Sequence, residues 1–275
     1  MYADRRRLLL GQLENAVAVF FAPREGIRNY DVHHDFRQSS DLFYLTGFEE
    51  PEVALVLTNL KETGPRSILF LRTRDVEREI WDGPRLGIDR ALENLEVNEA
   101  YPIEELSTRL PEFLLGAETL YYDLGRSDRE YNDDLVMEAF VKAKRRRRRA
   151  VTAPDGIEDS SPLLHEMRLH KSPEEIAIMR KAASMTAIGH KRAMEVARAG
   201  VREYQVEAAM EFEWRVRGAE RNAYPSIVGS GPNACILHYR AGRRALADGE
   251  LVLVDAGCEK NYYASDVTRT WPVSG

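Results

Sequence analysis

The chain is organised around two stretches near its C-terminal end, LVLVDAG at residues 251–257 and SDVTRT at residues 265–270. Four apolar residues followed by an aspartate indicate a buried strand that stops at a polar site. Residues 262–271 are rich in Tyr, Val, Thr and Trp, which favours a second strand. Lys260-Asn261 is short enough to turn between the two. These stretches therefore predict a β-hairpin.

A two-residue turn at Lys260-Asn261 would place Asp255 opposite Asp266 on one side of this hairpin. Two like charges with Cβ atoms about 5 Å apart destabilise the pairing unless a cation lies between them. Carboxylate oxygens are the ligands that hard divalent cations prefer. The hairpin therefore predicts a metal site at Asp255 and Asp266. The alternative is that Asp255 caps a turn while Asp266 points into water.

Further motifs precede the hairpin along the chain. They are RQSSD at residues 37–41, YLTGF at 44–48, EIW at 79–81, HEMRL at 165–169, IVGSG at 227–231 and CILHY at 235–239. Together with DAGC and DVTRT of the hairpin, they closely resemble the motifs of the pita-bread metallopeptidases and, among these, of the Xaa-Pro aminopeptidases or aminopeptidases P. The resemblance covers nearly the whole chain.

The predicted fold class is α/β, with an α+β catalytic part. Strands alternate with helices in the first half of the chain, which is typical of an α/β domain. The strands are predicted at residues 17–21, 53–57, 67–71 and 120–122, and the helices at residues 74–79, 103–115 and 130–147. The resemblance implies a ribonuclease-H-like N-terminal domain over residues 1–160, followed by the first half of a pita-bread domain over residues 161–275.

The second domain is predicted to begin with two helices. Ser172 is a favourable N-cap, followed by Pro173 at the first helical position and by Glu175 three residues after the cap. This helix is predicted to run to about Arg198, and a second helix follows over residues 204–217. The spacing of the apolar residues predicts a core-facing stripe made of Ile176, Met179, Ala183 and Ala187.

Composition restricts the possible functions. A net charge of −6 and a pI near 5.7 argue against a general nucleic-acid binder. The run KRRRRR at residues 144–149 is typical of a solvated helix C-terminus, and a nucleic-acid patch is the alternative. Two cysteines indicate no disulfide framework and a reducing, cytoplasmic setting. No apolar stretch approaches the ~20 residues of a membrane span, so no membrane partner is predicted. The negative net charge likewise predicts no nucleic-acid partner.

The resemblance also assigns roles to three residues outside the hairpin. His238 follows three apolar residues, a setting in which a lone histidine is usually a core residue. Its match to the family implies instead a catalytic residue that hydrogen-bonds the substrate. Asp31 and Trp81 match substrate-binding positions that reach from one subunit to close a neighbour's pocket, which implies a homo-oligomer, either a dimer or a tetramer. A surface turn and a core aromatic are the alternatives for these two residues.

The resemblance implies two divalent ions, Mn²⁺ in the family, held by two aspartates, one histidine and two glutamates. Asp255 and Asp266 match the first two ligands, and residues 267–275 contain neither His nor Glu. We therefore expect an incomplete metal site and an inactive fragment of a longer enzyme, with a natural short form as the alternative.

The implied activity is hydrolysis of the bond between an N-terminal residue and a following proline, with peptides that carry proline at the second position as substrates. Two alternatives stay open at this point. One is a prolidase that acts on Xaa-Pro dipeptides, and the other is a pita-bread module without catalysis that binds peptides or nucleic acid.

Overall fold

The computed structural model describes residues 1–125, 130–148, 151–240 and 242–274. The chain divides into two compact units, Met1–Leu169 and His170–Gly275. The domain boundary between residues 160 and 161 stays a prediction. No helix within these described ranges has both the length and the apolar composition needed to cross a membrane.

The first unit is a mixed α/β domain. Its helices are α1 (Tyr2–Gln12), α2 (Ser40–Thr46), α3 (Val76–Asp82), α4 (Gly87–Asn94), α5 (Leu106–Phe113), α6 (Glu130–Arg146) and α7 (Ser161–Leu169). Its strands are β1 (Ala16–Phe21), β2 (Ile27–Asn29), β3 (Val32–His33), β4 (Ala54–Leu60), β5 (Gly64–Leu71), β6 (Glu99–Pro102), β7 (Thr119–Tyr121) and β8 (Gly156–Glu158). The α/β class predicted for this part of the chain is confirmed.

The main sheet of this unit has the order β6-β5-β4-β1-β7-β8. Strands β1, β4 and β5 form an antiparallel meander, whereas β7 pairs parallel to β1, and β8 pairs parallel to β7. A meander continued by parallel strands on its first-strand side is the topology expected of a ribonuclease-H-like domain. Strand β6 extends the other edge parallel to β5.

Strand β1 shows why this sheet forms the core. Its sequence AVAVFF is buried at every position. The first, third and fifth residues belong to one apolar cluster with residues of α1 and α2, and the alternate residues belong to a second cluster with residues of α5 and α6. A strand covered on both faces reads as a continuous apolar run because neither face meets water.

The second unit packs two helices against two small sheets. Its elements are α8 (Pro173–Val196), α9 (Glu203–Val216), β9 (Arg221–Asn222), β10 (Ile227–Ser230), β11 (Leu251–Ala256), β12 (Cys258–Lys260), β13 (Tyr263–Ala264) and β14 (Val267–Pro272). Strands β10, β11 and β14 form one sheet, and β13, β12 and β9 form another. Gly189 of α8 lies against Trp214 of α9, where a Cβ atom would overlap the indole ring. A glycine is therefore required for the close packing of these two helices.

Helix α8 begins as predicted but buries a different face. The Ser172 side chain accepts a hydrogen bond from the Glu175 amide, and the Glu175 side chain accepts one from the Ser172 amide. The predicted core stripe is wrong, because its four residues are exposed. The face that packs against the rest of the unit carries Glu175, Ala182, Met185, Thr186, Gly189, His190 and Ala193.

The predicted hairpin forms with a different register. Asp255 pairs with Thr268 rather than with Asp266. The turn lies at Asn261-Tyr262, one residue later than predicted, and both residues have positive φ, 47° and 67°. A turn with two left-handed residues matches the twist of its flanking strands. Shifting the turn by one residue moves the pairing by two positions, so the two aspartates keep to the same face.

Gly257 separates the hairpin into its two sheets. Strand β11 ends just before it and β12 begins just after it. A Cβ atom at Gly257 would overlap the backbone carbonyl of Ser265. The close approach of the two chains at this point therefore depends on glycine.

Candidate metal centre

Side chains of strand β11 alternate between the core and the opposite face, and Asp255 lies on the opposite face. Val252, Val254 and Ala256 are fully buried in the apolar cluster between the helices and the sheet. The residues between them, including Asp255, face the other side and are partly exposed. Because side chains alternate along a strand, the buried valines fix the side on which the carboxylate emerges.

Tyr224 joins the two aspartates. Its hydroxyl lies 2.5 Å from Oδ1 of Asp255 and 2.6 Å from Oδ1 of Asp266. Burial and the two carboxylates raise the pKa of Tyr224, so the hydroxyl keeps its proton. One hydroxyl proton can be donated to only one of two acceptors at a time. At any moment, therefore, one of the two carboxylate oxygens that contact Tyr224 receives no hydrogen bond from it.

This arrangement suits a cation. Two carboxylates converge on one point, with a single neutral hydroxyl between them. Hard divalent ions are bound by such oxygen ligands. Within the described parts of the chain, no group of three or more His, Cys, Asp and Glu side chains is placed to hold a metal ion. Asp255 and Asp266 thus fit as part of a metal site, with further ligands needed to complete it.

His238 lies at the same cavity as the two aspartates. It follows a 3₁₀ helix, Gly231–Cys235, and is exposed, so the alternative of a core histidine is wrong. The cavity has a volume of about 380 Å³. Its lining consists of Tyr224, Pro225, Ile227, His238, Tyr239, Arg240, Asp255 and Asp266.

Glu207 of α9 adds a titratable group near this cavity. Burial and, to a smaller extent, the neighbouring Glu211 raise its pKa to about 7, although Arg240 of the cavity wall opposes the change. Glu207 therefore titrates near neutral pH. Sequence reasoning missed this residue, since its pKa depends chiefly on its burial in the folded chain.

His190 of α8 was also missed. It is buried, and its Nε2 lies 3.1 Å from the carbonyl oxygen of Ala256, next to Asp255. A carbonyl only accepts, so this nitrogen carries the proton. Burial lowers the pKa of His190, and the ring is neutral. The imidazole therefore supports the backbone at the end of β11. No sequence motif marked it.

Two predicted substrate-binding residues lie in the first unit. Asp31 is exposed in the turn between β2 and β3. Trp81 on α3 is 85% exposed, so the alternative of a core aromatic is wrong. Their action on a neighbouring subunit stays a prediction.

The basic run lies partly at the end of α6, which includes Lys144 and Arg146. Arg147 pairs with Asp155 at 2.7 Å, as expected of a solvated helix terminus. Arg149 lies outside the described residues.

Family models match both parts of the chain. Residues 2–121 match the model of the aminopeptidase P N-terminal domain, and residues 177–275 match the model of metallopeptidase family M24. The chain therefore carries an aminopeptidase P N-terminal domain, followed by part of a pita-bread domain of the M24 type. An M24 metallopeptidase domain implies divalent metal ions.

Similar proteins include the Xaa-Pro aminopeptidase of Escherichia coli K12, with 44% identity over all 275 residues of this chain and 62% of that enzyme. Human Xaa-Pro aminopeptidase 3 is 36% identical over the whole chain and 55% of the human protein. Among solved structures, an E. coli aminopeptidase P variant in complex with substrate matches 99% of this chain and 62% of that chain, with a TM-score of 0.94. Proline aminopeptidase P II from Yersinia pestis gives the same coverage and TM-score. The chain spans less than two thirds of these relatives.

Proposed function

We propose that the protein carrying these residues is an Xaa-Pro aminopeptidase, which hydrolyses the bond between an N-terminal residue and a following proline. The observation that carries this proposal is the convergence of Asp255, Asp266 and His238 on one cavity. The relatives at 44% and 36% identity bear the name of this activity and support the proposal.

Asp255 and Asp266 would hold two divalent ions, for which we propose Mn²⁺, together with ligands beyond this pair. When bound, such ions polarise a carbonyl group and lower the pKa of water. Tyr224 keeps the two carboxylates converged, and the neutral His190 steadies the backbone at Ala256. The chain's own part in metal binding is thus a preformed pair of oxygen ligands.

His238 would act on the substrate rather than on the metal. It stands at the cavity wall, exposed, and an imidazole N–H directed at the scissile carbonyl stabilises the charge that develops on its oxygen. We propose that Asp31 and Trp81 serve substrate binding in a homo-oligomer. Both are exposed in the first unit, as such a role requires. The free thiols of Cys235 and Cys258 fit a reducing compartment, for which we propose the cytoplasm.

Hydrolysis by the purified product of the gene that encodes this chain tests the proposal. We expect release of arginine from Arg-Pro-Pro in the presence of Mn²⁺ and none from the matched peptide Arg-Ala-Pro. The dipeptide Arg-Pro separates this activity from that of a prolidase, which would cleave it in preference to the tripeptide. Equal cleavage of Arg-Ala-Pro and Arg-Pro-Pro would refute the specificity for proline.

A further inference from the structure

The segment that carries His238 has little regular structure of its own. Between the end of β10 and Arg240 it contains only the short 3₁₀ helix Gly231–Cys235. The residues before His238 are exposed, with Leu237 at 87%. An exposed segment without a strand ladder needs other anchors to hold a side chain in one place.

Glu203, the first residue of α9, supplies such an anchor. It is completely buried. Its carboxylate accepts hydrogen bonds from both sides of His238 in the sequence. The donors are the Ser230 amide at 2.8 Å, the Ser230 hydroxyl at 2.8 Å, the Asn233 side-chain amide at 3.1 Å, the Tyr239 hydroxyl at 2.8 Å and the Gly242 amide at 3.3 Å.

A carboxylate is the one side-chain group of this shape that only accepts hydrogen bonds. Burial acts to raise the pKa of Glu203, but the hydrogen bonds from Asn233, Tyr239 and Ser230 outweigh it and hold that pKa below its usual range. Glu203 is therefore ionised at neutral pH. A glutamine in its place would turn an NH₂ group towards one of the donors and break part of the set.

The neighbouring contacts make the anchor rigid. Asn233 also donates to the Tyr239 hydroxyl at 2.9 Å, so the two ends of the segment are joined directly. Arg244 donates to the Ser230 hydroxyl at 2.9 Å and forms a two-pronged ion pair with Glu250 at 2.6 and 2.7 Å. A Cβ atom at Gly242 would overlap the Tyr239 hydroxyl. Hydrogen bonds linked in this way reinforce one another.

We propose that Glu203 is a positioning residue: its buried carboxylate fixes the segment of residues 231–240 and so holds His238 at the cavity that it shares with Asp255 and Asp266. The catalytic part of this inference rests on the proposed function, in which His238 donates to the substrate carbonyl. The structural part, the ordering of the segment by Glu203, is testable in the 275-residue chain alone.

Backbone ¹⁵N relaxation of the 275-residue chain tests the ordering. In the parent protein we expect order parameters near 0.85 for the amides of residues 237–239, and in Glu203→Gln values below about 0.6. Glu213→Gln is the matched control, because Glu213 lies on the same helix and pairs with Arg217 instead of the segment. Unchanged order parameters in a folded Glu203→Gln protein would overturn the proposal.

Tyr239→Phe keeps the test decisive if Glu203→Gln does not fold. It removes one of the five donors and leaves the carboxylate in place. We expect a smaller loss of order, confined to residues 237–240, with a melting temperature close to that of the parent. A Tyr239→Phe protein whose segment is as ordered as the parent's counts against the proposal.

Kinetics of the gene product test the catalytic part. Glu203→Gln should lower kcat for Arg-Pro-Pro by about 10²-fold, as expected for a displaced catalytic group, with KM and Mn²⁺ affinity unchanged. Because Glu203 acts through His238, Glu203→Gln should lower kcat almost no further in a protein that already carries His238→Ala. An equal factor in both backgrounds refutes positioning. An active His238→Ala enzyme instead refutes the proposed role of His238, while the relaxation data still report on Glu203.

Discussion

Asp255 lies opposite Thr268 in the β11–β14 ladder, so Asp266 is its diagonal neighbour on the same face of the hairpin. The hydroxyl of Tyr224 contacts both carboxylates and lies between them. This geometry concentrates two negative charges around one neutral donor. Either the Tyr224 hydroxyl or a bound cation can therefore stabilise the paired carboxylates.

Replacing Tyr224 by phenylalanine should lower the melting temperature of the metal-free chain by about 3–10 °C, since a hydrogen bond to a charged group contributes about 1.5–3 kcal/mol and each kcal/mol corresponds to about 2–4 °C. Saturating Mn²⁺ should reduce this loss, because the cation takes over the compensation of charge. Tyr263→Phe is the matched control, because its hydroxyl donates to Glu175 of α8 at 2.5 Å instead of to the two aspartates. Thermal melts of both variants with and without Mn²⁺ measure these changes in melting temperature. If Mn²⁺ leaves the decrease caused by Tyr224→Phe unchanged, the Tyr224 hydroxyl does not stabilise the same carboxylates as the cation.

Replacing Asp266 by asparagine should weaken Mn²⁺ binding by at least about tenfold, because it removes one of the two charges that attract the ion. Calorimetric titration of the chain measures the affinity. Asp248→Asn, an exposed aspartate of the same unit, should leave it unchanged. In the gene product, activity should fall together with metal content. Retention of two bound metals and full activity would exclude Asp266 as a ligand.

The 275-residue chain by itself should bind Mn²⁺ weakly and should not hydrolyse Arg-Pro-Pro. The reason is that its described residues offer a pair of carboxylates and no larger group of metal ligands. The assay needs material purified from a host that lacks its own Xaa-Pro aminopeptidase. Turnover that tracks the chain through purification would show that the site is complete in it.

Glu207 should make the stability of the chain depend on pH. Its pKa is raised from 4.5 to about 7, so the stabilisation that its bound proton provides is fully present below pH 4.5 and is lost as the pH rises to about 7. Glu207→Gln cannot ionise and should therefore melt about 2–4 °C higher than the parent at pH 8, after allowance for partial exposure of the group. Near pH 4.5 this gain should vanish. Glu213→Gln provides the reference variant. If Glu207→Gln raises the melting temperature by the same amount at every pH, the raised pKa of Glu207 is refuted.

Replacing His238 by alanine in the gene product should lower kcat by about 10² to 10³, or about 3–4 kcal/mol of transition-state stabilisation. Metal content and melting temperature should stay the same, because His238 is exposed and outside the carboxylate pair. All three quantities are measured on one preparation. A variant that melts earlier yet turns over normally would remove His238 from the site.

Local patterns made part of this protein predictable. The capping box at Ser172 forms within four residues, and the alternation in β11 requires only that the valines be buried. The side of the hairpin that carries Asp255 follows from that alternation, and the pair with Asp266 survives the shifted register because side chains repeat every two residues. The motifs around His238 and the two aspartates also indicated the family whose models match the chain.

Contacts between distant parts of the chain decided the rest. The apolar spacing of α8 marks a stripe at Ile176 and Met179, but the packing of Gly189 against Trp214 turns the other face inward. Tyr224 and Glu203 carry no local motif, and their importance arises from partners about 30 residues away or more along the chain. A periodic pattern states that a face is apolar, whereas only the three-dimensional arrangement determines which neighbour covers it and which charges it brings together.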